Sequence, residues 1–144
     1  MDQESIVYGC IKDMPTGDAL AIKKRRGKNL AAILSLPADD DWPYLSRNMF
    51  STPGGHVMSG TYMTQIIHFG ASYQAVEYEW ALWIQKFENL LKRMCWVSVV
   101  VHLETELSGR HTFLWESSGQ QGELGSTDFQ VRCEWQREGI ISAV

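Results

Sequence analysis

The stretch that decides the fold is VVVHLETELSGRHTFLWES, residues 99–117. In its first half Val99, Val101, Leu103, Thr105 and Leu107 fall on one side of an extended chain, and His102, Glu104 and Glu106 fall on the other. That is the two-residue period of a half-buried strand. RHTFLWES continues the alternation, and Ser108 and Gly109 mark the turn between two strands. The register follows from matching the two patterns. A two-residue loop sets Leu103 opposite Leu114 but Val101 opposite Glu116. A three-residue loop, Leu107-Ser108-Gly109, sets Leu103 opposite Phe113, Val101 opposite Trp115, Glu106 opposite Arg110 and Glu104 opposite Thr112. The longer loop puts aromatics on the apolar side and pairs opposite charges outside. It also places Gly109 at a left-handed position. It is the expected register.

Upstream, YQAVEYEWALWIQKFENLLKRM (73–94) carries Val76, Trp80, Trp83, Ile84, Phe87, Leu91 and Met94 at helical spacing. Ser72 is the expected cap. Glu77 and Glu79 come early and Lys92 and Arg93 late, matching the helix dipole, and Glu88 is spaced to pair with Lys92. This helix is expected to cover the sheet. TYMTQIIHF (61–69) and SIVYGCIKD (5–13) have strand composition. ALAIKKRRGKNLAAILSLP (19–37) reads as one helix or two short ones. Asp18 caps it, Gly27 weakens it, Leu30, Ile33 and Leu34 form its stripe, and Pro37 ends it. Residues 38–60, with prolines, glycines and a triple aspartate, read as a long loop. FQVRCEWQRE (129–138) is an amphipathic strand, and the short apolar tail GIISAV (139–144) is expected to dock on the domain. The sum is an α+β fold over residues 1–144 as a single domain, in the order β-α-β-α-β-β-β. A mainly antiparallel sheet carries two helices packed on one face and leaves the other face polar.

Composition narrows the function. Of 144 residues, 44% are hydrophobic and 21% charged, an ordinary globular balance. A formal net charge of −4 disfavours general nucleic-acid binding, which needs basic surface. The basic run KKRRGK (23–28) reads as a solvated helix face. The three cysteines, Cys10, Cys95 and Cys133, are widely spaced and form no C-x-x-C pair, so neither a disulfide framework nor a zinc site is expected. The N-terminus has no basic start and no long apolar run, and no stretch has transmembrane length. The expected place is the cytoplasm, away from membranes.

The row His102, Glu104, Glu106 raises the question of chemistry. Side chains two apart on a strand stand about 6–7 Å from each other, too far to ligate one ion without help from neighbouring strands. The expected neighbours are Arg110, Thr112 and Leu114, with Arg132 a further candidate, and none of them is a ligand. Acid–base catalysis needs a concave, partly dry site that perturbs one carboxylate, and an open sheet face does not provide one. The serines lie in no nucleophile elbow, and GGHVMSG (54–60) is no phosphate-binding loop. Neither metal nor cofactor nor catalytic residue is expected. DDDWPY (39–44) lacks calcium-loop spacing, but it joins carboxylates to rigid rings, a combination suited to plugging a basic cleft.

DDDWPYLSRNMF (39–50), IHFGASYQAVEYEW (67–80) and VHLETELSGRHTFLW (101–115) resemble segments of the immunity proteins encoded beside bacterial polymorphic toxins, the Rhs and type VI secretion effectors. The resemblance implies a cytoplasmic non-enzyme that binds one toxin domain and blocks its active site. It supplies no contact residues. Those expected from the sequence are Asp39, Asp40, Asp41 and Trp42 in the loop and Glu104, Glu106 and Glu116 on the sheet. The alternative is a small enzyme or a ligand- or metal-binding domain. Its pocket would lie between the sheet and the 38–60 loop, with His68, His102 and Asp39–Asp41 as candidates.

Overall fold

The structure, a computed structural model, describes residues 3–13, 17–51 and 64–117 and the backbone of residues 129–134. Its elements are β1 (Glu4–Lys12), α1 (Ala19–Leu34), β2 (Ile66–Gln74), α2 (Trp80–Leu91), β3 (Ser98–Thr105), β4 (Gly109–Ser117) and β5 (Phe129–Glu134). Among the described residues the strands form one antiparallel sheet in the order β2-β1-β3-β4-β5. The fold is α+β, in the order the sequence predicts.

The core lies on one face. Val7, Ile11, Ile67, Phe69, Val99, Val101, Leu103, Phe113 and Trp115 alternate inward along the strands and pack in one cluster with Ile33, Trp83, Phe87, Leu90 and Leu91 from the helices. Phe87 bridges the sheet, its ring 5.2 Å from Phe69 on β2 and 5.5 Å from Trp115 on β4. Gly9 stands on this inner face because nothing larger fits. A β-carbon there would lie 2.9 Å from Phe69 Cζ and run into the Val100 carbonyl.

The β3–β4 hairpin corrects the expected register by two residues. Leu103 lies opposite His111, Val101 opposite Phe113, Val99 opposite Trp115, Glu104 opposite Arg110 and His102 opposite Thr112. The turn is closed by polar groups. Thr105 Oγ1 accepts the Ser108 amide (2.9 Å) and meets Ser108 Oγ (2.6 Å), which in turn reaches His111 Nε2 (2.8 Å). Residues 106–108 therefore make the loop, Thr105 faces Gly109 as the last pair, and Leu107 is left exposed. Because the shift is by two, every side chain keeps its face. Gly109 has the left-handed φ expected of it, 79°.

Two further boundaries move. β2 runs on to Gln74, so Ser72 is a strand residue and not a helix cap; its hydroxyl donates to Glu4 Oε2 (2.9 Å). Ala75, at φ 54°, makes the turn, and a 3₁₀ segment, Val76–Glu79, leads into α2. The Val76 amide is held by Ser5 Oγ (3.0 Å), which fixes where the strand gives way to the helix. Glu88, expected to pair with Lys92, accepts from Trp115 Nε1 (2.8 Å).

α1 is a single helix, capped by Asp18 through the Ala21 amide (2.8 Å). Of the expected stripe it keeps Ile33, with Leu30 half-buried and Leu34 exposed, and Arg26, Asn29 and Ala32 point inward beside Ile33. Polar latches set the rotation. Arg26 Nε meets Asp13 Oδ2 at 2.8 Å with both side chains buried. Asn29 exchanges two hydrogen bonds with the Cys95 backbone, donating to its carbonyl (2.9 Å) and accepting its amide (2.7 Å). The basic run is thus divided: Lys23, Lys24 and Lys28 face solvent, and Arg26 belongs to the interior.

Candidate functional site

The described part of the long loop, residues 38–51, is tied down by a few polar groups. Asp40 Oδ2 accepts the Leu45 amide (2.9 Å) and the Lys86 ammonium (2.8 Å). Lys86 also donates to the carbonyls of Asp41 (2.8 Å) and Pro43 (2.9 Å), so one α2 side chain gathers three residues of the turn. Burial pushes the Asp40 carboxyl up, but the Lys86 ammonium and the amides of Leu45 and Asp41 outweigh it and hold it below the usual carboxylate range. Leu45 is sunk in the core, and the Trp42–Pro43 bond is cis.

From below, Tyr73 on β2 donates its hydroxyl to the Tyr44 carbonyl (2.6 Å) and accepts Trp83 Nε1 (2.9 Å), which links the loop to the centre of α2. Trp42 stands nearly perpendicular to Tyr44 (5.2 Å between ring centres) and to Tyr73 (6.0 Å). The loop thus presents Asp39, Asp41, Trp42 and Tyr44 outward on a braced turn, with Trp42 and Tyr44 39% and 48% exposed.

Between this turn and the edge of β2 lies a cavity of about 430 Å³, lined by Ala38, Asp39, Asp40, Tyr44, Ser46, Met49, Ala71, Ser72 and Tyr73. It lies where the alternative reading of the sequence places a pocket. Its contents differ from that reading: Asp39 and Asp40 line it, and His68 and His102 do not. A smaller space of about 210 Å³ lies on the far side of the Asp40–Lys86 pair, against Leu36, Pro37, Leu45 and Asn89.

Burial drives the Tyr73 phenol up to about 12, with the Trp83 N–H pulling it down and the Asp40 charge adding to the rise. Between the ordinary value of 10.0 and this one, the folded chain keeps a proton that the unfolded chain has lost. Stability therefore falls as pH rises through this window, by about 2–3 kcal/mol in all. Urea unfolding at both ends of the window is expected to show this loss in the wild type and to show it reduced by that amount in Tyr73→Phe. An equal loss in both proteins would mean that Tyr73 does not titrate late.

The sheet-face residues are arranged differently. Glu104 accepts the Tyr8 hydroxyl, and Tyr8 Oη also takes Arg110 Nη1 at 3.4 Å. Burial raises the Tyr8 phenol, the Glu104 carboxylate adds to the rise, and the Arg110 guanidinium opposes it. His102 Nδ1 meets Thr112 Oγ1 (2.9 Å), and its ring lies 5.0 Å from that of Tyr8. Glu106 accepts the Glu4 amide (2.8 Å), and Glu116 is exposed at the far end of β4. The row is therefore a chain of satisfied polar contacts, and among the described residues no three His, Cys, Asp or Glu side chains gather to hold a metal ion.

No protein-family model, curated protein or solved structure matches this chain. The structure separates the two expected patches. Asp39 and Asp40 line the cavity at the β2 edge, with the Trp42 ring against Tyr73, and Glu104 and Glu116 lie on the other face of the sheet, Glu104 bonded to Tyr8. The sequence reading missed Lys86, Ser72 and Tyr73 at the first patch and Tyr8 at the second. Lys86 left a trace, a cation in the middle of a helix just before the buried Phe87. The others carried no signal, because their roles depend on where the loop returns to the sheet. Cys95 is buried and its thiol is pushed up by desolvation, against the charges of Lys28 and Arg25, so it is poorly suited to act as a nucleophile. The side chain of Cys133, residues 52–60 of the long loop, residues 61–63 of the expected second strand and the tail 139–144 lie outside the described residues. No helix among the described residues is long and apolar enough to cross a membrane.

Proposed function

We propose that the protein is an immunity-type inhibitor that acts in the cytoplasm by occupying the active site of a cognate secreted bacterial toxin domain, with no chemistry of its own. One observation carries this reading. Two carboxylates and two aromatic rings stand outward on a turn tied to the body of the fold by half-buried Lys86 and by buried Leu45 and Tyr73. A rigid ring immobilised before binding costs little ordering entropy, and flanking carboxylates steer it toward a cationic cleft, as nucleotide- and nucleic-acid-directed toxins require. The sheet-face acids support the reading more weakly, since Glu104 and Glu106 already have internal partners. Their part is long-range attraction, together with Glu116.

The cavity beside the loop would also serve a small-molecule pocket. However, its Asp40 carboxylate is paired with Lys86, and the other acid on its wall, Asp39, stands exposed to solvent, so the wall offers no dry acid–base pair.

The test is the catalytic domain encoded in the adjoining reading frame, purified and titrated with this protein. Tight one-to-one binding that abolishes the domain's activity is expected. Trp42→Ala should weaken binding about 30-fold or more, the scale of an interface anchor. Glu116→Lys should mainly slow association. If the domain remains fully active when saturated with the protein, the proposal fails.

A further inference from the structure

Among the described residues the edge of β2 is covered around Phe69 and left open toward its C-terminal end. Phe50 bridges to Phe69, and the Ser51 amide donates to the His68 carbonyl at 2.8 Å. That bond shows which backbone groups face away from β1: those of His68 and, by strand alternation, Gly70 and Ser72. The covering chain does not continue. Arg47–Met49 coil into a 3₁₀ turn, and among the described residues the Ser72 N–H and C=O have no backbone partner. An unpaired edge is a template for another strand unless it is covered or charged.

Here the open edge coincides with the cavity, since Ala71, Ser72 and Tyr73 form one of its walls. A strand laid along this edge would pair one residue with Ser72 through two main-chain hydrogen bonds. The residues on either side of that one would point to the face of Ala71 and Tyr73, and so into the cavity. They would meet the carboxylate of Asp39 and the ring of Tyr44, with Asp41 and Glu4 exposed nearby. Among the described residues no lysine or arginine lines the cavity, and Lys86, behind Asp40, is spent on that carboxylate and two carbonyls. An aromatic wall with a carboxylate at its rim suits a guanidinium.

We infer that the Ser72 edge and the adjoining cavity take an extended, arginine-bearing segment of the partner, added to the sheet as a short strand. The inference rests on the proposed function only for the source of that segment. It adds a second mode of contact to the loop: the loop enters the partner, and the partner's strand enters this protein.

The probe is a capped pentapeptide, Thr-Arg-Thr-Arg-Thr, whose arginines flank the central residue on one face. Its counterpart carries glutamate at both arginine positions. Both are titrated at millimolar concentration into the isotope-labelled full chain and followed by amide NMR. The arginine peptide is expected to shift amides in 39–46 and 70–74 and to slow hydrogen exchange at the Ser72 amide. The glutamate peptide should leave them unmoved. Asp39→Lys, an exposed change that spares the core, is expected to weaken the arginine peptide about fivefold. Absence of shifts, equal shifts with both peptides, or protection of Ser72 by self-association of the chain would each overturn the inference. Because the probe needs no toxin domain, a negative result here is separate from failure of the inhibitor reading, and a positive result does not rescue that reading.

Discussion

Arg26→Ala is expected to lower the folding free energy by about 3–5 kcal/mol, the cost of leaving one member of a buried ion pair alone. The guanidinium is buried in the face of α1 that meets the sheet, and Asp13, its partner at 2.8 Å, is 2% exposed. Asp13 is also committed elsewhere. Its Oδ1 accepts the Gln65 amide (2.8 Å), and its own amide donates to the Gln65 carbonyl (3.1 Å), so the carboxylate cannot turn to water without loosening the lead into β2. Removing the cation therefore leaves a buried charge held in place by its other bonds. The double variant Arg26→Met with Asp13→Asn should be more stable than Arg26→Ala, because it keeps an acceptor for Gln65 and leaves no charge unpaired. Lys23→Ala, three residues away on the solvent side, should change stability by no more than about 0.5 kcal/mol. Urea unfolding of the four proteins decides the matter. A loss below about 1 kcal/mol in Arg26→Ala would mean that the pair is hydrated and that something else sets the rotation of α1.

That rotation also marks where sequence reading stopped. Periodicity found the strands and both helices because it records which side of an element is apolar, and burial acts on that pattern directly. The stripe of α2 was legible for this reason: Val76, Trp83, Phe87, Leu91 and Met94 are all buried. α1 has no such stripe, and two polar latches orient it, each made with a residue distant in the chain, Asp13 and Cys95. The hairpin failed in a different way. A shift of two residues leaves the apolar and polar rows intact, so alternation cannot distinguish the two registers, and the choice fell to Thr105, Ser108 and His111 at the turn. In the candidate site the pattern ran the same way. The acids and the tryptophan of 39–42 were visible as composition. The brace that gives them a shape was not, because Lys86 and Tyr73 reach the loop from 46 and 29 residues further along the chain.

The same brace yields the other large effect. Trp83 is fully buried, stacked on Trp80 (4.9 Å) and Phe87 (5.1 Å), and Trp83→Ala is expected to cost about 3–5 kcal/mol from lost packing. Packing and tether can be separated with Trp83→Phe. Phenylalanine keeps most of the apolar volume but lacks the N–H that Tyr73 Oη accepts, so the global loss should shrink to about 1–2 kcal/mol. The loop should register the change all the same. Without the Trp83 donor the Tyr73 ring is free to reorient, and its bond to the Tyr44 carbonyl weakens. Amides of residues 40–45 should then shift and exchange faster in Trp83→Phe, while those of β3 and β4 stay as they were. If the loop amides of Trp83→Phe match the wild type, the indole N–H is a bystander and Lys86 alone shapes the turn. If they move, a residue with no exposed surface governs how Trp42 and Asp41 are presented. A partner that reads the loop would then bind Trp83→Phe more weakly, although it never touches the altered side chain.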